Sequence, residues 1–287
     1  MSADESKKKL SIYAGLREII NEKGITNAFK LARVYGYDGA ELLFIANECE
    51  SILDHSEEFQ IAINESSIPV VCISCYAKVV SDDIPYTIDR TTVEAIKRCI
   101  DLSHKIDCHL VHHTLVPRLT GGRENYSQVL PVAIEAASEI VNYAKERNII
   151  VLYEPQGMLF NGRDGYSAFF DTMASRHSNI GMCLDIGNTL WVDEDCYELA
   201  EKYASYVKHV HVKDYVLDSE DKTYRTLGNR TIKEVKLGSG IIDITRVLGI
   251  LSDAGYQDFI SVEDNSSSNY EDIANNAIAL LNEQPTK

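Results

Sequence analysis

Apolar runs of strand length alternate with amphipathic stretches from one end of this chain to the other, and that rhythm leaves few folds open. The runs are 10–16, 37–46, 69–79, 108–116, 149–154, 180–185, 207–214 and 259–263. The spacing predicts helices between and after them, over 26–34, 57–64, 88–106, 125–148, 166–176, 196–206, 243–254 and 269–282. Thr26 and Asp243 stand where N-caps belong. In 88–106 the residues Val93, Ile96, Ile100 and Leu102 fall largely on one side. A continuous run such as Ile149-Ile150-Val151-Leu152 suits a parallel strand covered on both faces. Eight strand–helix units predict an α/β fold: one domain over residues 1–287, closed as a (β/α)8 TIM barrel. An open doubly wound sheet is the runner-up, and the count of eight favours closure. In both, functional groups collect at the carboxyl ends of the strands.

One connection is too long for a turn. Between Asp214 and Asp243, the segments Thr223-Tyr224-Arg225-Thr226-Leu227 and Thr231-Ile232-Lys233-Glu234-Val235 flank Gly228-Asn229 and read as a hairpin. It is expected to form either a lid after strand seven, carrying Arg225 and Arg230, or a solvated surface hairpin. A second loop, after strand four, is marked by Gly121-Gly122.

Composition bounds the function. A net charge of −16 argues against a surface that neutralises phosphates, so nucleic acid is not the expected partner. No apolar run approaches the roughly 20 residues that span a bilayer, and 1–9 lacks the apolar core of a secretory signal. The seven cysteines show no CxxC spacing, and Cys72, Cys183 and Cys99 sit inside strands or helices as small hydrophobes. A cytoplasmic protein is the expectation.

The chemistry centres on Lys208-His209-Val210-His211-Val212-Lys213-Asp214. Alternation puts His209 and His211 on one face of that strand, the valines on the other. Strands five, six and eight end in Glu154, Asp185 and Glu263. The separations of 31, 26 and 52 residues place Glu154, Asp185, His211 and Glu263 on consecutive strands, the last gap holding the hairpin; a βα unit averages roughly 31 residues. Three carboxylates cannot share a barrel mouth without a counter-charge. A divalent cation supplies it, and one imidazole among hard oxygens suits Mn²⁺, Mg²⁺ or Co²⁺, with Zn²⁺ and Fe²⁺ as alternatives. Around them, His209 is expected to be buried and hydrogen-bonded rather than a ligand. Of His112 and His113 only one points inward, and His112 is the choice, as a substrate contact or general base. Asn188, Lys213, Arg225 and Trp191 are candidate substrate contacts. Lys213 is equally placed to pair with Asp214 or Asp185. Tyr13, Phe44 and Tyr76 near strand ends are further candidates for stacking on a bound ligand or for core packing.

The segments Tyr153-Glu154-Pro155, Leu184-Asp185-Ile186-Gly187-Asn188, His209-Val210-His211-Val212-Lys213-Asp214, Leu237-Gly238-Ser239-Gly240 and Ser261-Val262-Glu263 resemble, in order, those of the xylose-isomerase-like sugar (phosphate) isomerase/epimerase superfamily. The resemblance implies a single divalent metal on Glu154, Asp185, His211 and Glu263. It also implies an enzyme in which Glu154 and Glu263 move a proton on the carbon beside a carbonyl of a sugar or keto-sugar, through a cis-enediolate. Relatives dehydrate keto-inositols or open C-glycosides of 3-keto-glycosides, which is the alternative. Two positions depart from the ketose 3-epimerases: Asn188 replaces a histidine, and Leu217 stands where an arginine is expected, leaving Arg225 or Arg230 to supply it from the lid. Apurinic-site endonucleases share the barrel but need a trinuclear zinc cluster; Asn188, His209 and the net charge of −16 argue against it. The four intact ligands argue against a barrel that has lost catalysis. Homo-oligomers are common among such barrels, so self-association stays open.

Overall fold

A computed structural model describes residues 7–116, 125–220 and 224–282; the Gly121-Gly122 loop and Thr223 lie outside the described residues. The chain enters as β1 (Leu10–Ile12), β2 (Gly39–Ile45), β3 (Val70–Tyr76), β4 (Leu110–His113), β5 (Ile150–Tyr153), β6 (Ile180–Asp185) and β7 (Val207–Val212). It then leaves the barrel for an antiparallel sheet of β8 (Asp214–Leu217), β9 (Tyr224–Arg225) and β10 (Thr231–Val235), with β10 in the middle, and returns as β11 (Ile260–Val262). β1 to β7 and β11 are parallel neighbours all the way round, and β11 closes on β1 through Leu10 opposite Ile260. The closed eight-stranded (β/α)8 barrel expected from the rhythm is therefore present.

The helices are α1 (Leu16–Lys23), α2 (Ile25–Val34), α3 (Ser56–Ser66), α4 (Arg90–Lys105), α5 (Tyr126–Lys145), α6 (Gly162–Arg176), α7 (Tyr197–Tyr203), α8 (Ile244–Asp253) and α9 (Tyr270–Asn282). Their apolar stripes pack on the outer face of the sheet; in α4 the buried positions include Val93, Ile96, Ile100 and Leu102. Asp243 caps α8 as expected, its carboxylate accepting from Arg246 N at 2.9 Å. Thr26 does not cap α2, because Gly24 (φ 79°) ends α1 and α2 begins directly at Ile25. α1 itself was not foreseen. Only Leu16 and Ile19 are buried in it, too few to print a helical stripe on the sequence.

β7 ends two residues sooner than expected, at Val212, and Asp214 begins a different strand. Its carboxylate explains why. Asp214 Oδ1 accepts from Tyr215 N at 2.9 Å and Ile242 N at 3.2 Å, while Oδ2 accepts from Gly238 N at 3.1 Å and Gly240 N at 2.7 Å. The Leu237-Gly238-Ser239-Gly240 motif exists to wrap this carboxylate. Gly238 takes a left-handed φ of 83°, and a Cβ on Gly240 would stand 2.2 Å from Asp214 Oδ1. The buried Asp214 thus ties the small sheet to the segment that leads into α8. Asp214→Ala orphans these donors and is expected to cost about 3 kcal/mol, allowing for partial rescue by water. Urea unfolding checks this, and a change below about 0.5 kcal/mol, the size of an ordinary surface substitution, would refute the anchoring role.

Candidate metal centre

Alternation along each strand sends a row of polar side chains into the barrel. Glu41, Ser74, His112, His209, His211, Ser11 and Ser261 are all buried there. The register explains the layering: Asp185 and Ser261 both lie opposite His211, Cys183 opposite His209 and Ser74 opposite His112.

At the top of this column the four expected ligands meet. One donor atom each from Glu154, Asp185, His211 and Glu263 lies within 4.8 Å of all the others. His211 Nδ1 is the focus, 3.2 Å from Glu154 Oε1, 3.2 Å from Glu263 Oε2 and 3.9 Å from Asp185 Oδ2. Asp185 is aimed by its own loop: Oδ1 accepts from Gly187 N and Asn188 N, both at 2.8 Å. That leaves Oδ2 turned inward, buried and without a well-directed hydrogen bond, although Lys213 Nζ approaches to 2.7 Å. Hard oxygens around one imidazole nitrogen, with a carboxylate oxygen free of hydrogen bonds among them, is a donor set that fits a divalent cation.

Electrostatics agree. Burial, with Glu263 and Glu154 alongside, pushes Asp185 well above the ordinary carboxylate range despite Lys213. Glu263 goes the other way, to about 2: burial opposes its charge, but Lys213 and His211 outweigh that. The two carboxylates compete for one ammonium, and the shifts run in opposite directions: protonation is favoured at Asp185 and opposed at Glu263. Burial pulls His211 down, yet Cys183, Glu41 and Glu154 hold it well above its usual range. A cation at Nδ1 would replace those protons.

Beneath the ligands is a residue that the strand pattern did not single out. Glu41 is fully buried and accepts from Ser74 Oγ at 2.5 Å, Ser261 Oγ at 2.5 Å, His209 Nε2 at 2.7 Å and His211 Nε2 at 3.0 Å. Burial opposes its charge, but His211 and His209 keep it well below the ordinary range. Because Glu41 accepts the hydrogen bond from Nε2–H, Nδ1 is the nitrogen that His211 would offer to a cation. The same logic reaches His112. Ser74 spends its proton on Glu41, so its oxygen accepts from His112 Nδ1 at 2.9 Å. His112 Nε2 is then bare, has no hydrogen-bond partner among the described residues, and stands 3.5 Å from Glu154 Oε2. The signal for Glu41 was a lone carboxylate inside the apolar run Gly39-Ala40-Glu41-Leu42-Leu43-Phe44.

The other candidates separate cleanly. His209 is buried and hydrogen-bonded to Glu41 and to Ser261 Oγ at 2.9 Å. His113 points outward, its Nδ1 against the Thr114 carbonyl at 3.0 Å and its ring edge-on to Tyr153. Lys213 donates to Glu263 Oε1 at 2.8 Å and Asn188 Oδ1 at 3.2 Å; it pairs with Asp185 and Glu263, while Asp214 serves its loop instead. A Cβ on Gly187 would meet Lys213 Cγ at 2.7 Å, so the lysine needs glycine there. Asn188 is buried with Nδ2 unpaired. Tyr13 stacks on His211 at 4.7 Å between ring centres, whereas Phe44 packs edge-on against Phe59.

The hairpin forms, but as part of the three-stranded sheet. Trp191, on the 3-10 turn Asn188–Val192, packs against Tyr215 and Tyr224 of that sheet. Arg225 is exposed and donates to the Asn229 carbonyl at 2.8 Å, and Arg230 pairs with Asp218. Neither arginine joins the cluster in this conformation. Among the described residues no helix is long and apolar enough to cross a membrane.

The xylose isomerase-like TIM-barrel family matches residues 29–284. The chain belongs to this family. An inosose dehydratase of Clostridium perfringens is 25% identical over 135 residues, which span 45% of this chain and 45%, less than half, of that relative. A xylose isomerase-like TIM-barrel protein from Mycobacterium smegmatis, solved in complex with magnesium, is 18% identical with a TM-score of 0.69, covering 98% of this chain and 97% of that one. A D-allulose 3-epimerase from Methylomonas sp., solved with D-allulose, is 14% identical with a TM-score of 0.72, covering 96% of each chain. These structural likenesses speak for the fold.

If Glu41 orients His211, Glu41→Gln should weaken Mn²⁺ binding by about 10- to 100-fold, as loss of such supporting carboxylates commonly does. Paramagnetic titration of free Mn²⁺ measures this. Unchanged affinity would show that His211 is oriented without it.

Proposed function

We propose that this protein is a divalent-metal-dependent isomerase or epimerase that moves a proton on the carbon beside a carbonyl of a sugar or keto-sugar. The observation that carries the reading is the convergence of Glu154, Asp185, His211 and Glu263 donors within 4.8 Å at the strand ends. The ion favoured by this donor set is Mn²⁺, with Mg²⁺, Co²⁺, Zn²⁺ and Fe²⁺ as alternatives; the magnesium held by the Mycobacterium smegmatis barrel supports a hard divalent ion. When bound, it would act as a Lewis acid that polarises the carbonyl and the neighbouring hydroxyl, making the adjacent carbon acidic at neutral pH.

Glu154 and Glu263 stand at the ends of β5 and β11, with β6 and β7 between them, so they flank a ligand seated over His211. One removes the proton, leaving a cis-enediolate in the substrate, and the other returns it to the opposite face. Lys213 and Asn188 present donors to substrate oxygens. Tyr13 and Trp191 offer aromatic faces at the mouth. The β8–β10–β9 sheet is the lid, and Arg225 serves the substrate when the hairpin closes and its guanidinium leaves Asn229.

A second reading, dehydration of a keto-inositol, is favoured by His112. Its bare Nε2 beside Glu154 provides a further proton acceptor, and a dehydratase begins with the same proton removal. Incubation of a keto-sugar and keto-inositol panel with Mn²⁺-loaded protein in D₂O tests both. Deuterium at the carbon beside the carbonyl without loss of water marks the epimerase, and an unsaturated ketone marks the dehydratase. Glu263→Gln is expected to lower turnover by at least about 100-fold, the usual contribution of a general acid–base group. A Glu263→Gln protein with full turnover would remove Glu263 from the proton path.

A further inference from the structure

Three thiols converge on the side of β3 that faces away from the metal centre. Ser74 points into the barrel, so Cys75, next along the strand, points out toward α4. There it meets Cys99 from the middle of α4 and Cys49 from the turn that follows β2. All three are fully buried, and their sulfurs lie within 4.8 Å of one another, Cys49 Sγ and Cys99 Sγ being 3.6 Å apart.

The three are not equivalent. Cys75 and Cys99 are set in a barrel strand and a four-turn helix. Cys49 hangs from short 3-10 turns at Ala46–Glu48 and Ile52–His55, with exposed Glu48, Glu50 and Ser51 around it. Its own backbone N–H makes only a long bond, 3.4 Å to the Ala46 carbonyl. Both turns pack against α4, so local opening here would give up that packing and expose the Cys49 sulfur while β3 keeps its pairing in the barrel. Their acidities are divided the same way. Hydrogen bonds from the Cys75 and Cys99 thiols hold Cys49 well below the usual thiol range, and Arg98 adds to this against the cost of burial. The same bonds push Cys75 and Cys99 up. The Ile45 carbonyl, 3.4 Å from Cys49 Sγ, takes the S–H when Cys49 is protonated. One sulfur is thus equipped as a nucleophile and its neighbours as protonated thiols.

We propose that Cys49 is a site of reversible oxidation by a peroxide, which closes a Cys49–Cys99 disulfide with Cys75 as the neighbouring thiol that exchanges into it. The Cys49 thiolate attacks one peroxide oxygen, breaking the O–O bond to give the sulfenic acid and hydroxide. The Cys99 sulfur then displaces the sulfenic oxygen as water, with its own proton. Two thiols lose two electrons, and the peroxide is reduced to two waters. Closing 3.6 Å to the S–S length of about 2.05 Å asks each sulfur for less than about 1 Å, which the Cys49 turn can absorb. Cys75, the thiol that exchanges into the bond, follows Ser74 directly, and Ser74 bonds Glu41 and His112. The proposal is independent of the reaction assigned to the metal centre.

The test uses the whole reduced chain and hydrogen peroxide in small excess. After quenching, free thiols are alkylated in denaturant and chymotryptic peptides are mapped with fragmentation, so that Cys49 is read separately from Cys72 and Cys75. The expected result is a link between the peptides of Cys49 and Cys99, or of Cys49 and Cys75 after exchange. It should form at least about tenfold faster than the loss of Cys72, Cys108, Cys183 or Cys196, and be undone by dithiothreitol. In Cys99→Ser the link should form with Cys75, and in the Cys75→Ser/Cys99→Ser double variant dimedone should trap the Cys49 sulfenic acid; should the variants not fold, the wild-type map decides alone. Consumption of all seven thiols at a common rate, or an intact Cys49 while others are lost, overturns the proposal. So does a soft metal ion that co-purifies on the three thiols and protects them.

Discussion

A carboxylate inside a barrel has to be neutralised where it stands, and the way Glu41 is neutralised sets the chemistry above it. Two hydroxyls and two imidazoles surround it, all as donors. By accepting those hydrogen bonds Glu41 fixes which nitrogen of His211 faces the carboxylate cluster and, through Ser74, which nitrogen of His112 has no partner among the described residues. Removing a partner from such a buried set leaves a charge or a polar group unpaired, which costs several kcal/mol. The network is therefore specified as a unit, and the fold supplies it by closing β2, β3, β7 and β11 around one axis.

The layer above reverses the problem. Glu154, Asp185 and Glu263 bring more negative charge than Lys213 and His211 can balance, and burial beside Glu263 and Glu154 raises Asp185 well above the ordinary carboxylate range. A divalent ion resolves that conflict without any change in the backbone, since Gly187 N and Asn188 N already aim the carboxylate. The small sheet beside the mouth depends on another buried carboxylate, Asp214, which gathers the Leu237–Gly240 segment. In each layer a charge is placed first by backbone geometry, and the surrounding chain is shaped to satisfy it.

Much of this was legible in the residues. Barrel strands repeat at a nearly constant interval, so strand-end Glu154, Asp185, His211 and Glu263 could be assigned to one ring. Alternation required that only one of His112 and His113 point inward. What stayed hidden has physical reasons. α1 buries too little surface to carry a period. Thr26 looked like a cap, but Gly24, with its left-handed φ, is what breaks the chain between α1 and α2. Glu41 sits among apolar neighbours, and nothing local tells an inward carboxylate with four donors from an unpaired one. Arg225 and Arg230 are bound to their own hairpin and to Asp218, a contact between segments that no local pattern encodes.

The metal content of the purified chain, measured beside its Asp185→Ala variant after incubation of both with Mn²⁺ and removal of loose ions, is the most direct test of the centre. One Mn²⁺ or comparable divalent ion per chain, lost from the variant while its circular dichroism stays unchanged, is the predicted result. No retained metal in the wild-type chain would contradict the four-ligand site, and about three zinc ions per chain would point instead to a trinuclear centre.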